Sequence, residues 1–352
     1  MTTPNTHTSY TLPAGITTRP LTLEDAEIVA QFSDAHNAAK GYPSVADVED
    51  IKVDWQAPKF NLAESSLAIF AEDGELIGYG TLWDNSEIPV KPRLNWVVRD
   101  DLYGSGIDQY LMQWLENKAE RVIEKCPPDA KITIGMSVLE GYQKRMDAIA
   151  SAGYEHKRSW YRMLIDMTEQ PPAPSLPENI LMRPMNYPDE FRDVAIADRD
   201  AFRDHYGYVE EPIDEMVKEW QYYIDKDPIF TPDVYHIAVD TNTGQITGVC
   251  LCRMEQWGKP DTAYVESVGV IPAYRRQGIA QGMLYHAFND FWERGRKKVA
   301  LHVDATSLTG ATRLYERVGM HVAENWMSYN KVLRDGVSYT TEKLGDNQEQ
   351  SE

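Results

Sequence analysis

The segment Val268–Ala280 contains the residue types that bind a phosphate group at the start of a helix. An apolar, strand-like stretch ends at Pro272, and residues with helical spacing begin after a glycine. The unpaired N–H groups and the dipole at a helix N-terminus attract anions. Arg275 and Arg276 add two positive charges, and the small residues of Gly278–Ala280 allow a phosphate to approach the backbone. The spacing matches neither the Rossmann nor the Walker glycine motif.

This turn resembles motif A of the GNAT superfamily of acyltransferases, as Arg275-x-x-Gly278-x-Ala280. A second resemblance follows at the distance typical of that superfamily. The strand-like segment 299–304 leads into 311–320, which is similar to motif B, with Met320 in place of the usual phenylalanine. The resemblance implies an acyltransferase domain over 179–335 that binds acetyl-CoA or a close relative.

The resemblance assigns cofactor roles to two groups of residues. The strand before the turn would line the pantetheine arm, with a backbone N–H near Val270 polarising the thioester carbonyl. The turn would cradle the pyrophosphate. The predicted cofactor-binding residues are Val268, Gly269, Val270, Arg275, Arg276, Gln277, Gly278, Ile279 and Ala280.

Tyr315 fits the position of the general acid in motif B. Acyl transfer from a thioester to an amine requires a proton for the departing thiolate. A phenol with an ordinary pKa near 10 remains protonated at neutral pH and can donate that proton.

The general base has three candidates. Glu266 lies two residues before Val268, and strict alternation would place both on the same face of the strand. Some relatives have a glutamate two positions further upstream, where this sequence has Tyr264. His205 lies in a polar cluster where the superfamily builds its acceptor site, and a base that acts through water is the third possibility.

Two halves of similar length position these residues. The segment 169–178 contains four of the chain's prolines and predicts a semi-rigid linker. Each half has an Arg-Pro phrase, an acidic helix, a strand pair, an apolar strand, a glycine turn and an amphipathic helix, in that order. We therefore predict an α/β (α+β) fold with two tandem GNAT-like domains, each a mixed, mostly antiparallel sheet flanked by helices. The expected boundaries are 1–168, 179–335 and an acidic disordered tail over 336–352.

The first half serves as an internal comparison. Tyr103–Asp108 aligns with the cofactor turn, but both arginines are absent and Asp108 places a carboxylate where the second half has a small residue. Ile149 stands where the second half has its tyrosine. The first half is therefore expected to be degenerate and non-catalytic, an architecture similar to that of the mycothiol synthase group.

Composition excludes several classes of function. The net charge of −20 opposes binding to nucleic acid. There is no run of 18 apolar residues, which argues against a membrane span, and only three cysteines are present. We expect a cytoplasmic protein without a metal, either a monomer or a homodimer.

These features together predict an N-acyltransferase. It would transfer an acetyl group from acetyl-CoA to an amine of a small molecule by direct attack in a ternary complex. A non-catalytic acyl-CoA-binding sensor or scaffold is the alternative, since an intact cofactor turn is compatible with both.

Overall fold

The computed structural model describes residues 10–42, 44–307 and 310–342. The chain forms two compact units. Unit 1 contains residues 1–157 and 327–337, and unit 2 contains residues 158–326 and 338–352. The division differs from the sequence-based boundaries at 168 and 179, because it falls within two long strands rather than at the proline-rich segment.

Unit 1 is built on a mixed sheet whose central strands are apolar. The strand pair and the apolar strand expected in the first half are both present. The sheet has the order β1-β2-β3-β4-β5 followed by the second part of β12. Its strands are β1 (Thr17–Arg19), β2 (Ser66–Phe70), β3 (Leu76–Trp83), β4 (Arg93–Val98), β5 (Ile132–Leu139) and part of β12 (His321–Arg334).

The helices of unit 1 cover this sheet. Leu111 and Leu115 on the fourth helix are fully buried, together with Trp96 from β4. The helices are α1 (Ala26–Ala39), α2 (Val48–Trp55), α3 (Leu62–Ser65), α4 (Ile107–Ala119) and α5 (Gln143–Ser151).

Unit 2 contains the segments with the candidate chemistry. Its sheet has the order β6-β11-β10-β9-β8-β7, and the pair β10/β11 is parallel whereas the ladders on either side of it are antiparallel. The strands are β6 (Glu155–Asp166, which begins in unit 1), β7 (Ile180–Pro184), β8 (Tyr235–Asp240), β9 (Ile246–Arg253), β10 (Thr262–Val270) and β11 (Lys298–Asp304).

The helices of unit 2 are α6 (Phe191–Phe202), α7 (Ile213–Lys226), α8 (Ile279–Glu293) and α9 (Ala311–Arg317). Helices α6 and α8 pack on β9 and β10 from opposite faces of the sheet. Ile279, Met283, Ala287 and Phe291 of α8 are each at most 1% exposed, which confirms the helical spacing seen in the sequence. Each large apolar side chain buried in this way stabilises the fold by about 1.5–3 kcal/mol.

In both units an arginine on the edge strand, β1 or β7, forms the same set of hydrogen bonds to the chain that follows. Arg19 donates to the Pro20 carbonyl oxygen at 3.0 Å and to Asp25 at 2.7 Å. Arg183 donates to the Pro184 carbonyl oxygen at 3.0 Å and to Glu190 Oε1 at 2.6 Å. This shared arrangement supports a duplicated architecture.

The proline-rich segment and the start of the predicted tail both pack against unit 2. Residues 169–177 form neither helix nor strand, yet Leu176 packs against the core beside Gly282 of α8. The expectation of disorder is wrong for 338–342, because Thr341 is 2% exposed and its carbonyl oxygen accepts from the Gly207 N–H at 2.8 Å. Residues 343–352 of the predicted tail lie outside the described residues.

Candidate active site

The site is organised by a cleft between β10 and β11. The two strands pair only through Thr262–Tyr264 and Lys298–Ala300, and the described residues form no ladder between them beyond that point. On its other edge, β10 remains paired with β9 as far as Val270. The edge of β10 that faces β11 therefore presents backbone groups to the cleft. An extended ligand with amide groups can pair with such an edge.

The predicted arm-binding residues lie along this edge of β10. Val270 is buried and Val268 is half-buried against the core. An added Cβ on Gly269 would lie 2.8 Å from both Ala201 Cβ and Phe202 Cε2. Only glycine fits there, because α6 packs directly on the strand at the middle of the cleft.

The turn after β10 opens towards solvent at the start of α8. Gly278 is the residue before the helix, with φ 81°, and an added Cβ on it would meet no atom within 4 Å. The first helical bond runs from the Gly282 N–H to the Gly278 carbonyl oxygen at 3.0 Å. The preceding N–H groups of Ile279, Ala280 and Gln281 receive no side-chain cap. Such a helix start is an anion-binding arrangement.

The two arginines of the turn have different roles. The Arg275 guanidinium donates to Asp204, to the Ala201 carbonyl oxygen at 2.9 Å and to the Val270 carbonyl oxygen at 3.0 Å. It therefore ties the end of β10 to the C-terminus of α6, rather than pointing its charge into the open turn as the sequence suggested. Arg276 is exposed and has φ 64°, a conformation that costs about 1–2 kcal/mol for a residue other than glycine. Backbone held in this region next to a glycine orients N–H groups towards an anion.

The structure places Tyr315 on α9, inside unit 2. Its side chain is 6% exposed, and burial, with smaller effects of Cys250 and Tyr264, raises its pKa above the ordinary value. Tyr264 lies at the point where β10 and β11 separate. Tyr315 is thus a protonated phenol close to the cleft at neutral pH.

Glu266 occupies a β-bulge in β10, which changes the sequence-based expectation. The register shifts between Val265 and Ser267, so the expected alternation with Val268 does not hold. Glu266 Oε2 accepts a hydrogen bond of 2.8 Å from Tyr235, and Arg253 lies 4.0 Å away. Burial is the largest influence on the carboxyl group and raises its pKa, which brings it closer to that of a working base.

His205 lies just beyond α6, next to the anchoring pair of the turn. Its ring packs on Phe202 with centroids 4.5 Å apart, and burial lowers its pKa although the neighbouring Asp204 carboxylate acts in the opposite direction. The ordered residues 338–342 hold this loop through the Thr341 hydroxyl, which donates to the Arg203 carbonyl oxygen at 3.0 Å. His205 is therefore a neutral imidazole in a fixed loop.

Sequence reasoning missed two groups of polar residues near the cleft. Tyr264 Oη and His302 Nδ1 lie 2.7 Å apart, across the point where β10 and β11 separate. Asp198 on α6 is 8% exposed and accepts from Ser267 Oγ, and burial raises its pKa to about 6. The signal for Asp198 was present, because it lies four residues after the buried Val194 and so falls on the apolar face of its helix.

A cavity of about 420 Å³ adjoins Asp198 between α6 and α7. Its walls include aromatic and acidic side chains of unit 2. No group of three or more metal-ligating side chains occurs within the described ranges. The described helices are also all too short or too polar to cross a membrane.

The corresponding turn of unit 1 has left-handed backbone at the same positions, but it contains a buried carboxyl group. Gly104 and Gly106 have φ of 82° and 98°, in line with Arg276 and Gly278 of unit 2. The Gly104 N–H donates to Asp108 Oδ2 at 3.1 Å, and Asp108 is fully buried. A carboxylate of the chain itself thus accepts from a backbone N–H of this turn.

Comparison with known proteins adds independent findings. Residues 195–320 match the Acetyltransferase (GNAT) family. The chain is 26% identical over 199 residues to mycothiol acetyltransferase from Thermobifida fusca, a match that includes 52% of this chain, and it spans 60% of that relative's length.

Solved structures agree over a longer part of the chain. A GCN5-related N-acetyltransferase from Sphaerobacter thermophilus has a TM-score of 0.79 and 28% identity, and the match covers 93% of this chain and 99% of that one. A tandem GNAT protein from the clavulanic acid biosynthesis pathway has a TM-score of 0.64 at 14% identity, covering 92% and 100%. The latter similarity concerns the fold alone.

Proposed function

We propose, on the premise that residues 195–320 form a GNAT acetyltransferase domain, that unit 2 transfers an acetyl group from acetyl-CoA to an amine of a small molecule. The amine would attack the thioester directly in a ternary complex. The observation that carries the proposal is the cleft between β10 and β11, which opens after Tyr264 and ends at an uncapped helix start. The name of the Thermobifida fusca relative, mycothiol acetyltransferase, supports the same class of reaction.

The residues of the cleft fit acetyl-CoA. The free edge of β10 can hydrogen-bond the amides of the pantetheine arm, and the open space at Gly278 accommodates a phosphate beside the first turn of α8. Arg276 is the cation that the turn presents to that phosphate. When bound, acetyl-CoA supplies the activated acetyl group.

The side chains around the cleft would handle the protons. Tyr315 Oη stays protonated at neutral pH and donates a hydrogen bond to the departing sulfur, which solvent then protonates. Glu266 is the proposed base that accepts the proton of the incoming ammonium, directly or through water, because burial has already raised its pKa. Backbone N–H groups of β10 near Val270 would polarise the thioester carbonyl.

Release of CoA from acetyl-CoA tests this proposal. The full-length protein is incubated with acetyl-CoA and a panel of small amines, and free thiol is measured with time. We expect at least one amine to raise CoA release well above hydrolysis in its absence. If acetyl-CoA binds but no amine raises its turnover, the protein is an acyl-CoA sensor or scaffold instead.

Substitution of the two candidate bases separates their roles. Glu266→Gln keeps the shape of the side chain and is expected to lower kcat/KM by about 100-fold, the usual contribution of a positioned base. His205→Ala is expected to lower kcat/KM by less than tenfold. The His205 ring packs on Phe202 beside Arg275, so we expect its role to be structural. The reverse ranking would assign the base to His205, and equal small effects would assign it to water.

We also propose that unit 1 has no acetyl-CoA site of its own. Asp108 accepts from the Gly104 N–H of its turn and places a carboxyl group where the pyrophosphate would lie. The turn also lacks the two arginines, and Ile149, aligned with Tyr315, is a core side chain.

A further inference from the structure

The cavity between α6 and α7 has a chemistry that indicates its occupant. It measures about 420 Å³, which suits a small organic molecule. It lies entirely within unit 2 and is lined from α6, from α7 and from the segment 208–211.

The lining of the cavity carries excess negative charge. Asp198, Glu211 and Glu219 contribute carboxylates, whereas Arg199 is the one cationic side chain in the described lining. Arg199 donates to Asp200 at 3.3 Å and lies 4.0 Å from Glu210, so carboxylates outside the cavity already compensate its charge. A cation is therefore favoured over an anion.

Four aromatic rings line the cavity: Phe202, Tyr208, Trp220 and Tyr223. Aromatic faces attract ammonium groups and also bury hydrocarbon. A polyhydroxylated amine offers little hydrocarbon to these ring faces and so gains less from their burial. The walls thus favour an ammonium carried on an apolar or aromatic body.

Two residues that line the cavity lie against β10. Asp198 Oδ1 accepts from Ser267, the residue immediately before Val268 on β10. Phe202 packs on Gly269 of the same strand. An ammonium group paired with Asp198 would therefore lie behind the part of β10 where the thioester is proposed to sit.

We propose that this cavity is the acceptor site, and that it takes a primary ammonium on an apolar or aromatic body, held by Asp198 and by Trp220. This inference rests on the proposed acetyl transfer and names its substrate class. Amino sugars and anionic molecules of the same size would be poor ligands.

Binding measured without turnover tests the inference separately from the reaction. Phenethylamine, glucosamine and 3-phenylpropanoate are titrated into the full-length protein by calorimetry at pH 7.5, with and without saturating CoA. We expect phenethylamine to bind at least tenfold more tightly than the other two compounds in one or both conditions. Equal or tighter binding of glucosamine, or no binding of phenethylamine in either condition, would overturn the inference.

Asp198→Asn removes the charge but keeps an oxygen that can accept from Ser267. It is expected to weaken phenethylamine binding at least tenfold and to leave the Kd for acetyl-CoA within twofold. Asp193→Asn is the matched control, because Asp193 is an exposed carboxylate on the same helix, and it should change neither. Unchanged phenethylamine binding by the Asp198 variant would show that the ammonium is held elsewhere.

The same proteins distinguish this inference from the proposed function. If amino sugars release CoA from acetyl-CoA while phenethylamine neither binds nor reacts, acetyl transfer stands and the substrate class is wrong. If phenethylamine binds in the Asp198-dependent way but no amine releases CoA, the cavity assignment stands as an ammonium site and acetyl transfer fails.

Discussion

Arg275→Ala is expected to lower the stability of the protein by about 2–3 kcal/mol and to weaken acetyl-CoA binding at least tenfold. The substitution removes the hydrogen bonds of Arg275 and leaves Asp204 and two backbone carbonyl oxygens without that donor. Each hydrogen bond to a charged group contributes about 1.5–3 kcal/mol, and partial exposure of the pair lowers the total. For a protein of this size the midpoint of thermal unfolding should fall by several degrees. Differential scanning calorimetry and isothermal titration with acetyl-CoA measure the two effects.

Asp204→Ala decides how Arg275 acts on the cofactor. If Arg275 anchors the turn, removing its partner should also weaken acetyl-CoA binding, because the end of β10 loses its tie to α6. If Arg275 instead met the phosphates directly, removing a nearby negative charge would tighten binding. Tighter binding by the Asp204 variant would thus contradict the anchoring role.

Arg276→Ala is the companion variant for the direct cation. Its side chain is exposed and has no partner among the described residues. We expect acetyl-CoA affinity to fall severalfold, equivalent to about 1 kcal/mol, with little change in the unfolding midpoint. These results would assign the two roles separately: Arg275 organises the turn, and Arg276 contacts the ligand.

The sequence predicted the elements of this site better than their relative placement. The bounds of β10 were predictable because its apolar stretch ends at Pro272 and a glycine-started helix follows. The bulge at Glu266 was not, because a bulge depends on the register with β9, which no local pattern records. The contact between Arg275 and Asp204 was not predictable for a similar reason, since the two residues lie 71 positions apart in the chain.

Local sequence patterns did not predict the boundaries of the two units either. Four prolines at 171–177 marked a break in secondary structure, but β6 and β12 continue past the division between the units. The order of 338–342 depends on tertiary contacts of Thr341 with the loop of His205, not on the composition of that segment. Composition sets whether a segment can bury apolar area, whereas such backbone contacts arise only after the fold is formed.

The comparison of the two turns supports the proposal that unit 1 keeps the scaffold without a cofactor site. Both turns keep left-handed backbone at equivalent positions, provided by Gly104 in unit 1 and by Arg276 in unit 2. The glycine carries no conformational cost there, whereas the arginine does. Retention of a strained cation in unit 2 is consistent with a role in ligand binding, since an internal carboxylate satisfies the turn only in unit 1.

Tyr315→Phe is expected to lower kcat by about 100-fold or more without changing the Kd for acetyl-CoA. A departing thiolate with a pKa near 8.5 is a weaker base than the anion of a phenol whose pKa lies above 10, so complete proton transfer from Tyr315 is uphill. The hydroxyl would therefore act mainly as a hydrogen-bond donor to the sulfur in the transition state. Removal of one such donor typically lowers kcat by 10²–10³.

Two further measurements separate this role from a structural one. Tyr285→Phe makes the same chemical change on a half-buried tyrosine of α8 and should leave kcat within twofold. Because burial raises the pKa of Tyr315, the native enzyme should show no decline in kcat from tyrosine ionisation up to about pH 9.5. A Tyr315 variant that keeps more than half of the native kcat would show that the tyrosine does not stabilise the departing sulfur.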